Sequence, residues 1–287
     1  MVHLNAWSCR CNDNMLKGMG QEIPVHIPKH ADEGMFFLSG NHPGRRSIMK
    51  PLYIRSVSID WGKIDRTSYL WVIPALKNLS QLAFHRQVTF FAGENGSGKS
   101  TLLEALAVSS GFNAEGGTKN YHFSTYDDVS SLADAVRLVR GPIMPRAGYF
   151  FRAESFFNVA TTIVKEYDDG TMPDYHKVSH GESFLEFMSG SEQQGLYLMD
   201  EPEAALSPQR QLSLLIYIAR MAAAGSQFII ATHSPILLGV PDAEILEFSG
   251  DGIRPCAYED TESYSVTRLF LENRERMLRE LLDEHES

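Results

Sequence analysis

The chain has 287 residues, of which 43% are hydrophobic and 22% charged, with a formal net charge of -10. This mix describes an ordinary globular protein long enough for one large α/β domain, and the acidic balance disfavours a globally basic nucleic-acid binder while leaving a local basic face open. Cys9, Cys11 and Cys256 make no disulfide framework, no apolar run reaches membrane-span length, and the N-terminus lacks a signal peptide's apolar region, so a cytoplasmic setting is expected.

Residues 1–50 scatter Gly, Pro, Asn and His without a sustained period and read as a poorly ordered extension. They read equally as an artefact of the start codon chosen, since Met49, directly before the first convincing strand, is a candidate true start. The Cys9–Arg10–Cys11 pair lacks further spaced metal ligands and reads as two reduced thiols. The spacing predicts strands over Leu52–Ile59 and Gln87–Ala92, then a helix over Thr101–Ser109 with Leu102, Leu103, Ala105 and Leu106 on its apolar side. Residues 111–190 mix short helical patterns with turns and read as a smaller, partly helical lobe. Strands return at Gly195–Met199 and Gln227–Thr232, with an amphipathic helix over Gln209–Ala223 between them. A surface helix over about 263–284 closes the chain. The expected fold is therefore α/β, a largely parallel mixed sheet flanked by helices, with an antiparallel edge. Residues 51–287 make the domain, lobe I taking about 51–110 and 191–260.

Four segments carry chemistry. GENGSGKST (residues 93–101) fits G-x-x-x-x-G-K-[ST] between a strand and a helix. Gly93, Gly96 and Gly98 permit a tight loop whose N–H groups, with those of Ser97 and Thr101, cradle nucleotide phosphates at a positive helix end. Lys99 would reach the β and γ phosphates and Ser100 would ligate Mg²⁺. LYLMDEP (196–202) is an apolar strand ending in Asp200, a metal-holding carboxylate, and Glu201, which would polarise the attacking water. FIIATHSP (228–235) carries another apolar run, ending in Thr232 and His233. The histidine reads either as a satisfied loop residue or, favoured here, as a hydrogen-bond partner of the γ phosphate. SHGESF (179–184) reads either as a capping box of Ser179 and Glu182 or as an anion-binding helix start.

The set resembles an ABC-type ATPase head over roughly residues 52–250, and within it the SMC-, RecF- and SbcC-like AAA-type proteins. GENGSGKST looks like Walker A, LYLMDEP like Walker B, SHGES like the signature segment, EAALS like the D-loop and His233 like the switch histidine. The resemblance implies an enzyme hydrolysing Mg-ATP in an ATP-dependent homodimer, each head completing the other's site. Asn95 would touch the γ phosphate or the attacking water, and Ser179, His180 and Gly181 would act in trans. The family's metal-contacting glutamine has no counterpart here, and FFRAESFF offers Glu154 as the nearest candidate. The short interval between Thr101 and Ser179 holds no sustained heptads and so no long coiled-coil arm.

Three roles fit this engine: DNA repair or phage defence, the energy subunit of a membrane transporter, or regulation of a separately encoded nuclease or toxin. Departures from LSGGQ in the signature argue against the transporter. Arg137, Arg140, Arg146 and Arg152 are candidates for a DNA-facing patch or a solvated surface, and Tyr53, Trp61, Tyr69 and Trp71 for stacking on adenine or for core packing.

Overall fold

The computed structural model describes residues 50–117, 132–153 and 193–283. Cys9, Cys11, Met49, Glu154, Ser179, His180 and Gly181 lie outside the described residues. In chain order the strands are β1 (Ile54–Ile59), β2 (Gln81–Ala83), β3 (Val88–Gly93), β4 (Val136–Arg140), β5 (Ala147–Arg152), β6 (Gly195–Asp200), β7 (Gln227–Ala231), β8 (Glu244–Ser249) and β9 (Gly252–Pro255). The helices are α1 (Pro74–Lys77), α2 (Lys99–Ser109), α3 (Leu132–Ala135), α4 (Pro208–Ala224), α5 (Pro235–Leu238) and α6 (Glu262–Asp283).

Among the described residues the central sheet runs β5-β6-β7-β3-β8-β9. Its neighbours pair in parallel except β8 and β9, which form an antiparallel edge. Pro255 ends β9, where no further strand needs its missing N–H. The inner strands are apolar throughout because both faces are covered: every residue of β6 and β7 is buried.

Strand parity divides the core in two. Phe91, Phe150, Leu196, Leu198, Ile229 and Ala231 face the cluster around α2, whereas Phe90, Phe151, Tyr197, Met199, Phe228 and Ile230 face the cluster around α4. Helix α4 presents Leu214, Tyr217, Ile218 and Met221 at helical spacing, starts on a Ser207 cap and stops at Gly225. Helix α2 differs. It lies between the central sheet and a second, antiparallel sheet ordered β2-β1-β4, so Leu102, Leu103, Ala105, Leu106 and Ala107 are buried on more than one side.

A side chain of β7 links the two sheets. The carboxamide oxygen of the fully buried Gln227 on β7 accepts from the N–H groups of Tyr53 and Ile54, both at 2.8 Å, and its nitrogen donates to the Ile54 carbonyl at 2.9 Å.

The segment expected in the smaller helical lobe contributes differently over 136–152. Strand β4 pairs with β1, and β5 enters the central sheet beside β6. A Val-rich sequence alternating with arginine satisfies a half-exposed strand better than a helix. Helix α6 spans the expected C-terminal stretch, breaks its regular geometry at Asn273 (φ -132°, ψ 32°) and has no buried residue among those described. No helix among the described residues is long and apolar enough to cross a membrane.

Candidate functional site

Strand β3 delivers the chain to the loop at Gly93, whose φ of 128° and position allow no side chain: a Cβ there would sit 2.3 Å from the Phe248 carbonyl of β8. The loop re-enters α2 at Gly98, at φ 99°, where a Cβ would meet Ile73 at 2.7 Å. Gly96 between them is also left-handed. Two close approaches and three positive φ angles explain the loop's glycines physically.

Lys99 opens α2 and is 4% exposed. Its Nζ donates to the carbonyls of Gly93 and Glu94, each at 2.8 Å. Burial lowers its pKa, and the negative charges of Glu201, Asp200, Glu203 and Glu94 oppose that shift. One residue on, Ser100 Oγ donates to Asp200 Oδ1 at 2.8 Å. Asp200 ends β6 at a position of the same parity as Leu196 and Leu198, which turns its side chain toward α2. The hydroxyl and carboxylate, a hundred residues apart in sequence, thus meet at the carboxyl ends of parallel strands.

A cleft of about 300 Å³ covers the loop. Asn95, Gly96, Gly98, Lys99, Ser100 and Thr101 of the loop and helix start line it together with Glu201, Tyr69 and Ile73. Ser97 is half-buried beside them, with its hydroxyl buried and without a hydrogen-bond partner among the described residues. Glu201 adopts the left-handed conformation (φ 48°, ψ 52°), which costs a non-glycine residue about 1–2 kcal/mol. Its N–H is held by the Ala231 carbonyl of β7 at 2.9 Å.

His233 follows β7. Its N–H donates to Glu203 Oε1 at 2.6 Å, and the Ser234 N–H donates to the same oxygen at 3.2 Å. Its Nε2 is buried with no hydrogen-bond partner among the described residues. Burial first, then the Lys99 charge, push the imidazole pKa below its usual 6.5, while Glu201 and Glu203 oppose. The ring is therefore neutral at neutral pH, with one uncommitted nitrogen in an acidic, lysine-containing corner.

Two residues absent from the expected site belong to it. Glu203 ties the turn after β6 to the turn after β7, a link that only tertiary proximity reveals. Arg152, expected on a basic surface, instead lies half-buried behind Asp200. Its Nη1 donates to Glu104 Oε2 at 2.7 Å and its Nε lies 3.8 Å from Asp200 Oδ2. The other arginines of that group are exposed: Arg137 pairs with Asp60 at 3.0 Å and Arg140 donates to the Ser109 carbonyl. Parity explains the separation, since Arg152 shares a strand face with Phe150 of the α2 cluster. Of the aromatic candidates, Tyr69 alone lines the cleft. Tyr53 is buried in the core, and Trp61 and Trp71 pack on each other with ring centroids 4.7 Å apart.

These donors fit a magnesium triphosphate. A hydroxyl and a carboxylate stand together for a hard cation, an ammonium serves the phosphate loop, and an unpaired imidazole nitrogen lies nearby. The fold and this loop define a P-loop nucleotide-binding domain. Two family models match the chain, one described as an AAA domain over residues 72–132, the other as an AAA domain, putative AbiEii toxin, type IV TA system, over residues 183–239. No curated protein matches. Among solved structures the chain is similar to the SMC head domain from Thermotoga maritima, at 14% identity and a TM-score of 0.41, covering 72% of this chain and 100% of that one. It is likewise similar to a nucleotide-free ATP-binding cassette from an ABC transporter, at 16% identity and a TM-score of 0.38, covering 75% and 94%. The two AAA-domain models fall on the stretches that hold the β3–loop–α2 unit and strands β6 and β7, and together span less than half of the chain.

Proposed function

We propose that the chain binds Mg-ATP on the loop of residues 93–101 and hydrolyses it to ADP and phosphate at composite sites of an ATP-induced head-to-tail dimer. The observation that carries this reading is the convergence of Lys99, the Ser100–Asp200 pair and the unpartnered Nε2 of His233 at the ends of three parallel strands. Lys99 exchanges the carbonyls of Gly93 and Glu94 for phosphate oxygens. Ser100 and Asp200 would hold the cation, which would supply neutralising charge to the phosphates. Glu201, fixed through its N–H, orients the attacking water and accepts its proton. His233 offers its free nitrogen to the terminal phosphate. Asn95, exposed and lining the cleft, would touch the same group or the attacking water. Ser179, His180 and Gly181 of a second copy close the site, and Glu154 assists at the metal.

The process served is defence or DNA repair, and the model matched over 183–239, whose description names a putative toxin, favours a toxin-linked role. Turnover and mass in solution test the mechanism. Lys99→Ala abolishes binding of a fluorescent ATP analogue. Glu201→Gln lowers turnover by about 10²–10⁴-fold while accumulating as a dimer in saturating Mg-ATP. A Glu201→Gln protein that stays monomeric by sedimentation sinks the composite site, and a Lys99→Ala protein as active as the unmodified one sinks the ATPase reading.

A further inference from the structure

Arg152 sits where a site for a magnesium nucleotide would not be expected to carry a competing cation. It ends β5 in register with Asp200 at the end of β6, so the two side chains project from neighbouring strands toward α2. Ser100 and Glu104 lie one turn apart on α2 and face the same place. The result is a closed four-residue arrangement. Ser100 holds one oxygen of Asp200 at 2.8 Å, the Arg152 guanidinium stands 3.8 Å from the other, and the same guanidinium grips Glu104 at 2.7 Å. A further bond from Nη1 to the Ala114 carbonyl at 3.2 Å fixes the fork. The side chains of Arg152 and Glu104 are only 23% and 14% exposed, so solvent screens this group of charges poorly.

We infer that Arg152 is a positioning residue that acts through Asp200: its guanidinium occupies the electrostatic place of a cation between Asp200 and Glu104 and so makes metal capture conditional on nucleotide. Two carboxylates beside a hydroxyl would otherwise attract a free divalent ion. With the guanidinium between them, Glu104 is neutralised and Asp200 keeps one oxygen on Ser100. A divalent ion then needs the additional negative charge of the phosphates to bind well. The planar fork suits this task because it reaches both carboxylates without leaving the strand. The inference rests on the Mg-ATP reading for its purpose, but its electrostatic core is measurable without nucleotide.

The experiment titrates Mn²⁺, as a magnetic stand-in for Mg²⁺, into the nucleotide-free protein and follows free Mn²⁺ by electron paramagnetic resonance. Arg152→Gln raises Mn²⁺ affinity at least about tenfold, because it removes one positive charge from beside two poorly screened carboxylates. Arg152→Lys, which keeps the charge, stays near the unmodified protein, and the Arg152→Gln/Glu104→Gln double variant returns toward it. A folded Arg152→Gln protein that binds Mn²⁺ no more tightly than the unmodified chain overturns the inference. Glu104→Gln alone supplies an arm that keeps the strand arginine. There the guanidinium bears on Asp200 only, and the Mn²⁺ needed for half-maximal binding of a fluorescent ATP analogue rises several-fold; an unchanged requirement also overturns the inference. If the unmodified protein binds no ATP analogue at all, the nucleotide reading fails by itself, while the nucleotide-free Mn²⁺ comparison still decides the role of Arg152.

Discussion

The crevice at the ends of β3, β6 and β7 and the C-terminal helix α6 are held by opposite kinds of force. In the crevice, α2 buries Leu102, Leu103 and Leu106 completely between two sheets, and its polar residues are fixed by partners distant in sequence, as Ser100 is by Asp200. Helix α6 is twice as long, buries nothing among the described residues and leaves Leu271 and Leu282 exposed at 73% and 64%. Its ion pairs among the described residues, Arg268–Glu272 and Arg276–Glu280, are local i,i+4 contacts at 2.8 and 2.9 Å. Tertiary burial thus stabilises the chemistry, whereas local terms stabilise the helix that ends the domain.

Substitutions can break that contrast or sharpen it. Leu103→Ala in α2 is expected to cost about 2–5 kcal/mol by chemical denaturation, because no neighbour can collapse into a site enclosed by two sheets. Leu271→Ala in α6 should stay within about 0.5 kcal/mol; equal losses at the two positions would end the contrast. Next in size is Glu203→Ala, which strips the acceptor from the His233 and Ser234 N–H groups and should cost about 1–3 kcal/mol. Glu203→Gln retains a carbonyl oxygen there and should recover most of it in the same measurement. Smallest is the Arg268–Glu272 pair, for which a double-mutant cycle should return about 0.3–0.5 kcal/mol, screened further by salt. A coupling above about 1.5 kcal/mol would mean that α6 is held by more than its own turns.

Legibility in the sequence followed the same division. The β3–loop–α2 unit and strands β6 and β7 were readable because fully buried parallel strands spell continuous apolar runs and the loop's glycines carry its geometry in their own letters. Strand β4 was not, since VRLVR gains its register only from β1, some eighty residues earlier. Nor did local pattern show β5 as a core strand, although Tyr149, Phe150 and Phe151 are buried. Arg152 illustrates the limit best. By charge alone it joined a run of surface arginines, but a single step of strand parity and a register match with Asp200 turn it inward. Glu203 likewise shows its role only once two turns from different strands lie side by side.

The carboxamide of Gln227 has a consequence for how the chain comes to be made. Tyr53 and Ile54 emerge during synthesis 174 and 173 residues before the side chain that satisfies them. At about 5–20 residues per second that interval is roughly 9–35 s, so these two N–H groups wait for their acceptor long after the β2 partner of β1 has been made. The junction between the two sheets is therefore completed late, by an amide from a strand made well after β1, β2 and β4.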